Sequence, residues 1–166
     1  MPGLAPYAEQ HKSPKGPGDA RPTAVKIIED QGLVADPSWA GRVVLITGCS
    51  AGGLGPETAK AIHLTGADVY ITVRDAAKGK EIADEVKADG KPGKVEVIVM
   101  DLNSLKSVRT GAEEFLRKSG NKLNVLINNA GKSIRASGVN GGMRQTPLIS
   151  VFRSHVLPQG QDRRRL

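Results

Sequence analysis

Apolar positions along this chain come in short continuous runs, separated by stretches of helical spacing. Residues 42–47 (RVVLIT) form one such run, of the length and β-branched composition of a strand covered on both faces. Residues 69–73 and 95–100 repeat it, and residues 123–127 supply a fourth. Between the runs lie segments with apolar residues three and four apart: 56–64, 76–88, and a stripe of Leu105, Val108, Ala112, Phe115 and Leu116. Pro56 suits a first helical turn, where its missing N–H is not needed, and Ser104 stands where a helix cap is expected. Gly66 follows the first of these helices as a stop. Strand and helix alternate, which predicts an α/β fold with a parallel sheet and helices on both faces.

Outside residues 41–131 the pattern fails. The first forty residues carry six prolines, and only residues 24–32 (AVKIIEDQG) predict a short helix, stopped by Gly32. From Ser133 onward the apolar spacing is equally poor. The expected organisation is an irregular N-terminal extension over 1–40 with that one short helix, a patterned unit over 41–131, and a basic, poorly patterned tail over 132–166.

The net charge of +7 changes little once it is located. Residues 133–166 hold six Arg against one Asp, so most of the excess belongs to the tail and the patterned unit is nearly balanced. No nucleic-acid motif or aromatic platform accompanies the basic end, and nucleic acid is not an expected partner. One cysteine, Cys49, excludes an internal disulfide and a cysteine-rich metal cluster, and His11, His63 and His155 are too scattered for metal-ligand spacing. No residue is assigned to a metal. The longest fully aliphatic run is four residues, too short to span a bilayer, and no signal-peptide pattern opens the chain. The expectation is a soluble, cytoplasmic protein.

Residues 47–55 read TGCSAGGLG, directly between a strand and a helix. In that context glycines permit a tight turn and let a pyrophosphate approach the backbone, while the helix N-terminus presents unpaired N–H groups and partial positive charge. The context points to a nucleotide site in a Rossmann-type doubly wound parallel sheet. Four segments in order, TGCSAGGLG, VRD at 73–75, MDLNS at 100–104 and NNAG at 128–131, resemble the short-chain dehydrogenase/reductase family, and the resemblance implies that this chain holds the N-terminal, cofactor-binding half of that sheet, with about four strands. Residues 45–59 and 65–75 look most like its retinol-dehydrogenase-like and WW-domain-oxidoreductase-like branch. The loop departs from the usual TGxxxGxG by one residue, and registering it from the helix side makes Gly52 the insertion.

The resemblance implies a cofactor site made of Gly48, Ser50, Gly53, Leu54 and Gly55 around the phosphates and ribose, Asp101 and Leu102 at the adenine, and Asn129, Ala130 and Gly131 along the nicotinamide-side ribose. Asn128 would steady the central sheet. At the end of the second strand Arg74 suits a 2′-phosphate, so NADP is expected, with NAD as the alternative through Asp75. Asp75 also suits a helix cap.

The resemblance further implies hydride transfer between a nicotinamide and a carbonyl or alcohol carbon, using Tyr as general acid/base and Lys four residues on. The chain has two tyrosines, Tyr7 and Tyr70, followed at that spacing by His11 and Arg74. The Tyr-x-x-x-Lys motif is therefore missing, and no residue is assigned a catalytic role; the family pattern stops after Gly131. Two readings follow: an NADP(H)-dependent short-chain oxidoreductase by family, or a non-catalytic dinucleotide-binding fragment. His63 is expected on a helix surface, residues 80–89 on a solvated helix face, and Cys49 as an inert loop cysteine rather than an activated thiol. The last strand would leave a sheet edge open, inviting self-association.

Overall fold

In the computed structural model, residues 6–16 and 18–131 are described. Four strands, β1 (Val43–Ile46), β2 (Asp68–Val73), β3 (Val95–Val99) and β4 (Val125–Ile127), form one parallel sheet in the order β3-β2-β1-β4. Helices α3 (Leu54–His63), α4 (Ala76–Lys87) and α5 (Leu105–Ser119) make the crossovers, after a one-turn α1 (Ala8–His11) and a short α2 (Ala24–Asp30). The expected Rossmann-type half is what the chain builds, and the order reverses between β1 and β4, the place where such sheets open a crevice.

Alternation along the strands splits the core in two. Val44, Ile46, Val69, Ile71, Val73 and Val95 face the layer of α3 and α4, joined by Ala59, Ile82, Ala83 and Val86. Val43, Leu45, Tyr70, Ile98 and Met100 face α5, whose Val108, Ala112, Phe115 and Leu116 complete that side. Tyr70 and Phe115 meet edge to face with centroids 5.1 Å apart, and the Tyr70 hydroxyl donates to the Lys118 carbonyl at 3.1 Å. The charges of residues 80–89 lie outward, but Ile82, Ala83 and Val86 are buried, so this segment is amphipathic and not simply a solvated face.

The helix starts follow their side chains. Thr23 accepts from the Lys26 N–H, Asp75 from the Ala77 and Lys78 N–H groups, and Ser104 from the Ser107 N–H. Gly32 turns the chain after α2 with φ +66°. The lead-in is less irregular than its prolines imply: beside α1, Asp19 binds Arg21 at 2.8 Å and Tyr7 donates to Asp30 at 3.2 Å.

The fourth strand is two residues shorter than the apolar run. Asn124 ends the pairing early, because its side-chain oxygen accepts the Val43 N–H at 2.8 Å in place of a ladder carbonyl. At the opposite flank, Lys118 donates to the Val97 carbonyl at 3.2 Å and lies 3.0 Å from Glu114 and 3.5 Å from Glu96. No further strand pairs with the outer side of β3 or β4 among the described residues.

His63 corrects the surface assignment. It is 1% exposed, with Nδ1 3.0 Å from Asp89 and Nε2 3.4 Å from the Gly93 carbonyl. The connection between α4 and β3 folds over this part of α3, a contact that no helical spacing within α3 reveals. Among the described residues no helix is long and apolar enough to cross a membrane, and no cluster of metal-ligating side chains is present.

Candidate functional site

The end of β1 runs into a loop gripped from both neighbouring strands. On the β2 side, the Gly48 N–H donates to Thr72 Oγ1 at 3.0 Å and the Cys49 N–H to the Thr72 carbonyl at 2.9 Å. On the β4 side, Asn129 Nδ2 donates to the Thr47 and Gly48 carbonyls at 3.0 and 3.2 Å, and the Ala130 N–H to Thr47 Oγ1 at 3.1 Å. The tie between the last strand and the loop thus comes from Asn129; Asn128 is exposed and has no side-chain hydrogen bond among the described residues. Thr47 and Thr72 were not singled out in the sequence. The available signal was a hydroxyl inside otherwise apolar, buried strand segments.

Within this loop and the first turn of α3, space requires glycine at positions 48 and 55. Gly48 has φ +69°, and a Cβ there would lie 2.6 Å from both Cα and Cβ of Ala130. At Gly55 a Cβ would meet Asn129 Nδ2 and Cys49 Sγ at 2.9 Å. The backbone of the loop, the first turn of α3 and the NNAG segment therefore approach one another as closely as glycine allows.

The extra residue is absorbed locally. The Gly53 N–H donates to the Ser50 carbonyl at 3.0 Å, closing a turn in which Gly52 holds φ +71° and a Cβ would meet nothing within 4 Å. Ser50, Ala51 and Gly52 are exposed on that turn, between the end of β1 at Ile46 and the start of α3 at Leu54. Leu54, the first residue of α3, is 79% exposed.

Helix α3 starts at Gly53 without a side-chain cap, whereas α2, α4 and α5 each have one. Its first-turn N–H groups have no side-chain acceptor, which suits an anion supplied from outside. Tested on this geometry, the loop fits a pyrophosphate: glycines where a Cβ would intrude, and an uncapped helix start beside them. When bound, a nicotinamide dinucleotide supplies hydride chemistry that no side chain of the chain can supply.

Around this loop, Arg74 is exposed at the end of β2 and makes no hydrogen bond or ion pair among the described residues. Asp75 beside it is engaged in capping α4. At the end of β3, the Asp101 side chain accepts from the Asn103 N–H at 3.0 Å and from Asn103 Nδ2 at 2.9 Å, while Leu102 packs on the α5-side core. Gly131 is exposed, following Asn129 and Ala130. All eleven expected cofactor residues lie at or just beyond the C-terminal ends of the four strands.

Other reactive groups are occupied. Cys49 is buried, and burial pushes its thiol up to about 12, the opposite of an activated nucleophile. Tyr70 is committed to the end of α5 and Tyr7 to Asp30. Ser133, Ser137, Asn140 and Ser150 lie outside the described residues.

A family model for short chain dehydrogenases matches residues 42–147. The chain belongs to the short-chain dehydrogenase family. It is 50% identical over 129 residues to oxidoreductase calI of Penicillium decumbens, covering 75% of this chain and 36% of that protein. Retinol dehydrogenase 12 of Mus musculus is 48% identical over 91 residues, or 55% of this chain and 28% of that one, in keeping with a retinol-dehydrogenase-like member of the short-chain dehydrogenases. The chain thus spans about a third of the length of these curated relatives. Its fold is similar to a metagenomic short-chain oxidoreductase in complex with NADP (TM-score 0.52, 33% identity, 57% of this chain and 41% of that chain). An NAD+-bound xylitol dehydrogenase is similar as well (TM-score 0.50, 27% identity, 57% and 35%). Short-chain dehydrogenases bind NAD(P), and these two likenesses do not choose between the nucleotides.

Proposed function

We propose that this chain binds NADP(H) in preference to NAD(H) at the C-terminal edge of its sheet, and that it does so without turning over a substrate by itself. The single observation that supports the nucleotide preference is the division of labour at the end of β2. Asp75, the residue able to act as an NAD-type acid, has its carboxylate on two N–H groups of α4, while the Arg74 guanidinium beside it has no partner among the described residues. A free planar donor fork suits a 2′-phosphate, and a carboxylate already spent on a helix start is poorly placed for a ribose hydroxyl. Gly48, Ser50, Gly53, Leu54 and Gly55 then serve the phosphates and ribose, Asp101 and Leu102 the adenine, and Asn129, Ala130 and Gly131 the nicotinamide-side ribose.

The second reading is the family reaction itself, an NADP(H)-dependent reduction of a carbonyl or oxidation of an alcohol. It is favoured by the likeness to proteins named as oxidoreductases and dehydrogenases. Against it stands the sequence, which offers no tyrosine followed four residues later by lysine. Titration of the 166-residue chain with NADPH and NADH, followed by NADPH oxidation with a panel of aldehydes and ketones, separates the readings. Tighter NADPH binding without turnover is the expected result. Tighter NADH binding overturns the nucleotide preference, and clear turnover establishes the second reading.

We further propose self-association through the outer side of β4, with which no strand pairs among the described residues. A chain that sediments only as a monomer at high concentration argues against it.

A further inference from the structure

The entry to the phosphate loop is fixed by a hydroxyl on a neighbouring strand. Thr72 is 1% exposed, and it meets two successive peptides of the loop: Gly48 N–H at its Oγ1, 3.0 Å, and Cys49 N–H at its carbonyl, 2.9 Å. The register pairs Ile46 with Ile71, so Thr72 lies one step past the last β1 partner and extends the contact into the loop. Strand packing alone does not ask for threonine there. Val has the same shape and the same β preference, and the other residues of the segment 69–73 are apolar or, as Tyr70, bury their ring. The hydroxyl answers to Gly48.

Gly48 has no freedom on its other sides. Ala130 occupies the space over its Cα, and Asn129 Nδ2 holds its carbonyl at 3.2 Å. With Thr72 on the N–H, Gly48 is held at both of its backbone polar groups, the carbonyl from the end of β4 and the N–H from β2. Two residues after Thr72, the same strand end carries Arg74.

We propose that Thr72 is a positioning residue for the dinucleotide: it locks the start of the phosphate loop to the strand end that carries Arg74. The two ends of one ligand, pyrophosphate and adenosine 2′-phosphate, are thereby met at a fixed spacing. The inference rests on the dinucleotide reading of the site. Thr72 touches no ligand atom in it and acts through Gly48. A ligand that spans both ends gains from the fixed spacing, whereas a ligand that engages only the adenosine end does not.

The test uses the full chain with Thr72→Val and Thr72→Ser. Amide exchange is measured first, with no nucleotide present. The Gly48 N–H is expected to exchange about fivefold to tenfold faster in Thr72→Val, as the loss of one hydrogen bond implies, and at the wild-type rate in Thr72→Ser. Affinities for NADPH and for adenosine 2′-monophosphate follow. Thr72→Val is expected to weaken NADPH about fivefold to tenfold while leaving the monophosphate within about twofold, and Thr72→Ser to restore NADPH binding. Unchanged Gly48 exchange in Thr72→Val overturns the proposal, as does an equal loss for both ligands or none for NADPH. If Thr72→Val does not fold, the wild-type chain decides: a Gly48 N–H that exchanges as fast as that of exposed Ala51 overturns the link. Wild-type chain that binds neither NADPH nor NADH refutes the dinucleotide site itself and the positioning role with it, while the exchange data still score the Thr72–Gly48 bond separately.

Discussion

His63 Nδ1 lies 3.0 Å from an Asp89 carboxylate oxygen, in a place where the imidazole is 1% exposed. The pair joins α3, the helix that starts at the Gly-rich loop, to the connection between α4 and β3. Replacing His63 by Ala removes a packed ring and takes one partner from the Asp89 carboxylate, which keeps the Lys91 N–H at 2.9 Å, so a loss of about 2–4 kcal/mol is expected, mostly from the cavity. Asp89→Asn keeps a polar partner and should cost clearly less. Urea unfolding checks both, with the midpoint falling and the slope unchanged; a His63→Ala chain as stable as wild type refutes the role.

Gly48→Ala should be among the most damaging single changes. The left-handed backbone at φ +69° costs about 1–2 kcal/mol for a residue with a Cβ, before the 2.6 Å approach to Ala130 is counted. Gly52→Ala carries the same backbone penalty but meets no neighbour within 4 Å. Melting of the two variants side by side should therefore rank Gly48→Ala well below Gly52→Ala, and equal melting temperatures would show that Ala130 yields to the new methyl.

The alkaline limb of stability has a defined sign. Burial pushes the Cys49 thiol from its usual 9.0 up to about 12, and burial followed by Asp68 and Glu96 raises the Tyr70 phenol. Both groups ionise first in the unfolded chain, so stability present below pH 9 is lost as the pH climbs toward 12. The thiol alone contributes at most about 1.4 kcal/mol per pH unit in that window. Urea midpoints at pH 8, 10 and 11 should fall steadily, with a shallower fall in Cys49→Ala. Coincident pH profiles for the two chains would rule the thiol out as a source.

Arg74→Ala should separate the two nucleotides. Loss of a charge-assisted contact to a 2′-phosphate is expected to weaken NADPH about tenfold or more and to leave NADH nearly unchanged. The measurement is a pair of binding isotherms for each chain. Parallel weakening of both nucleotides would move Arg74 from recognising the phosphate to supporting the loop.

Much of this architecture is legible in the sequence. Runs such as 42–47 announce strands because a parallel sheet buries both faces of each strand. Ser104 announces a helix start because its side chain and the helix N–H groups are local to one another. Asp75 carried two meanings in the sequence, and its contacts with Ala77 and Lys78 show which one the backbone uses. His63 was misassigned because its burial is made by residues 26 and 30 positions away. The short β4 escaped notice because Asn124 substitutes a side-chain amide for a ladder carbonyl, which no apolar pattern records. Thr72 escaped notice because a β-branched hydroxyl in a strand has the outline of valine.

The ammonium of Lys118 on the Val97 carbonyl gives the sheet a handed capacity for growth. In a parallel ladder alternate carbonyls point away from the partner, and Val97 offers one of those at the free side of β3. A positive charge seated there, held by Glu114 and Glu96, makes that flank a poor template for an incoming strand. If the proposed self-association through β4 occurs, a strand laid on that flank would arrive beside Ile127 and next to Asn129, Ala130 and Gly131, so that enlarging the sheet and covering the segment that holds the Gly48 loop would become one event.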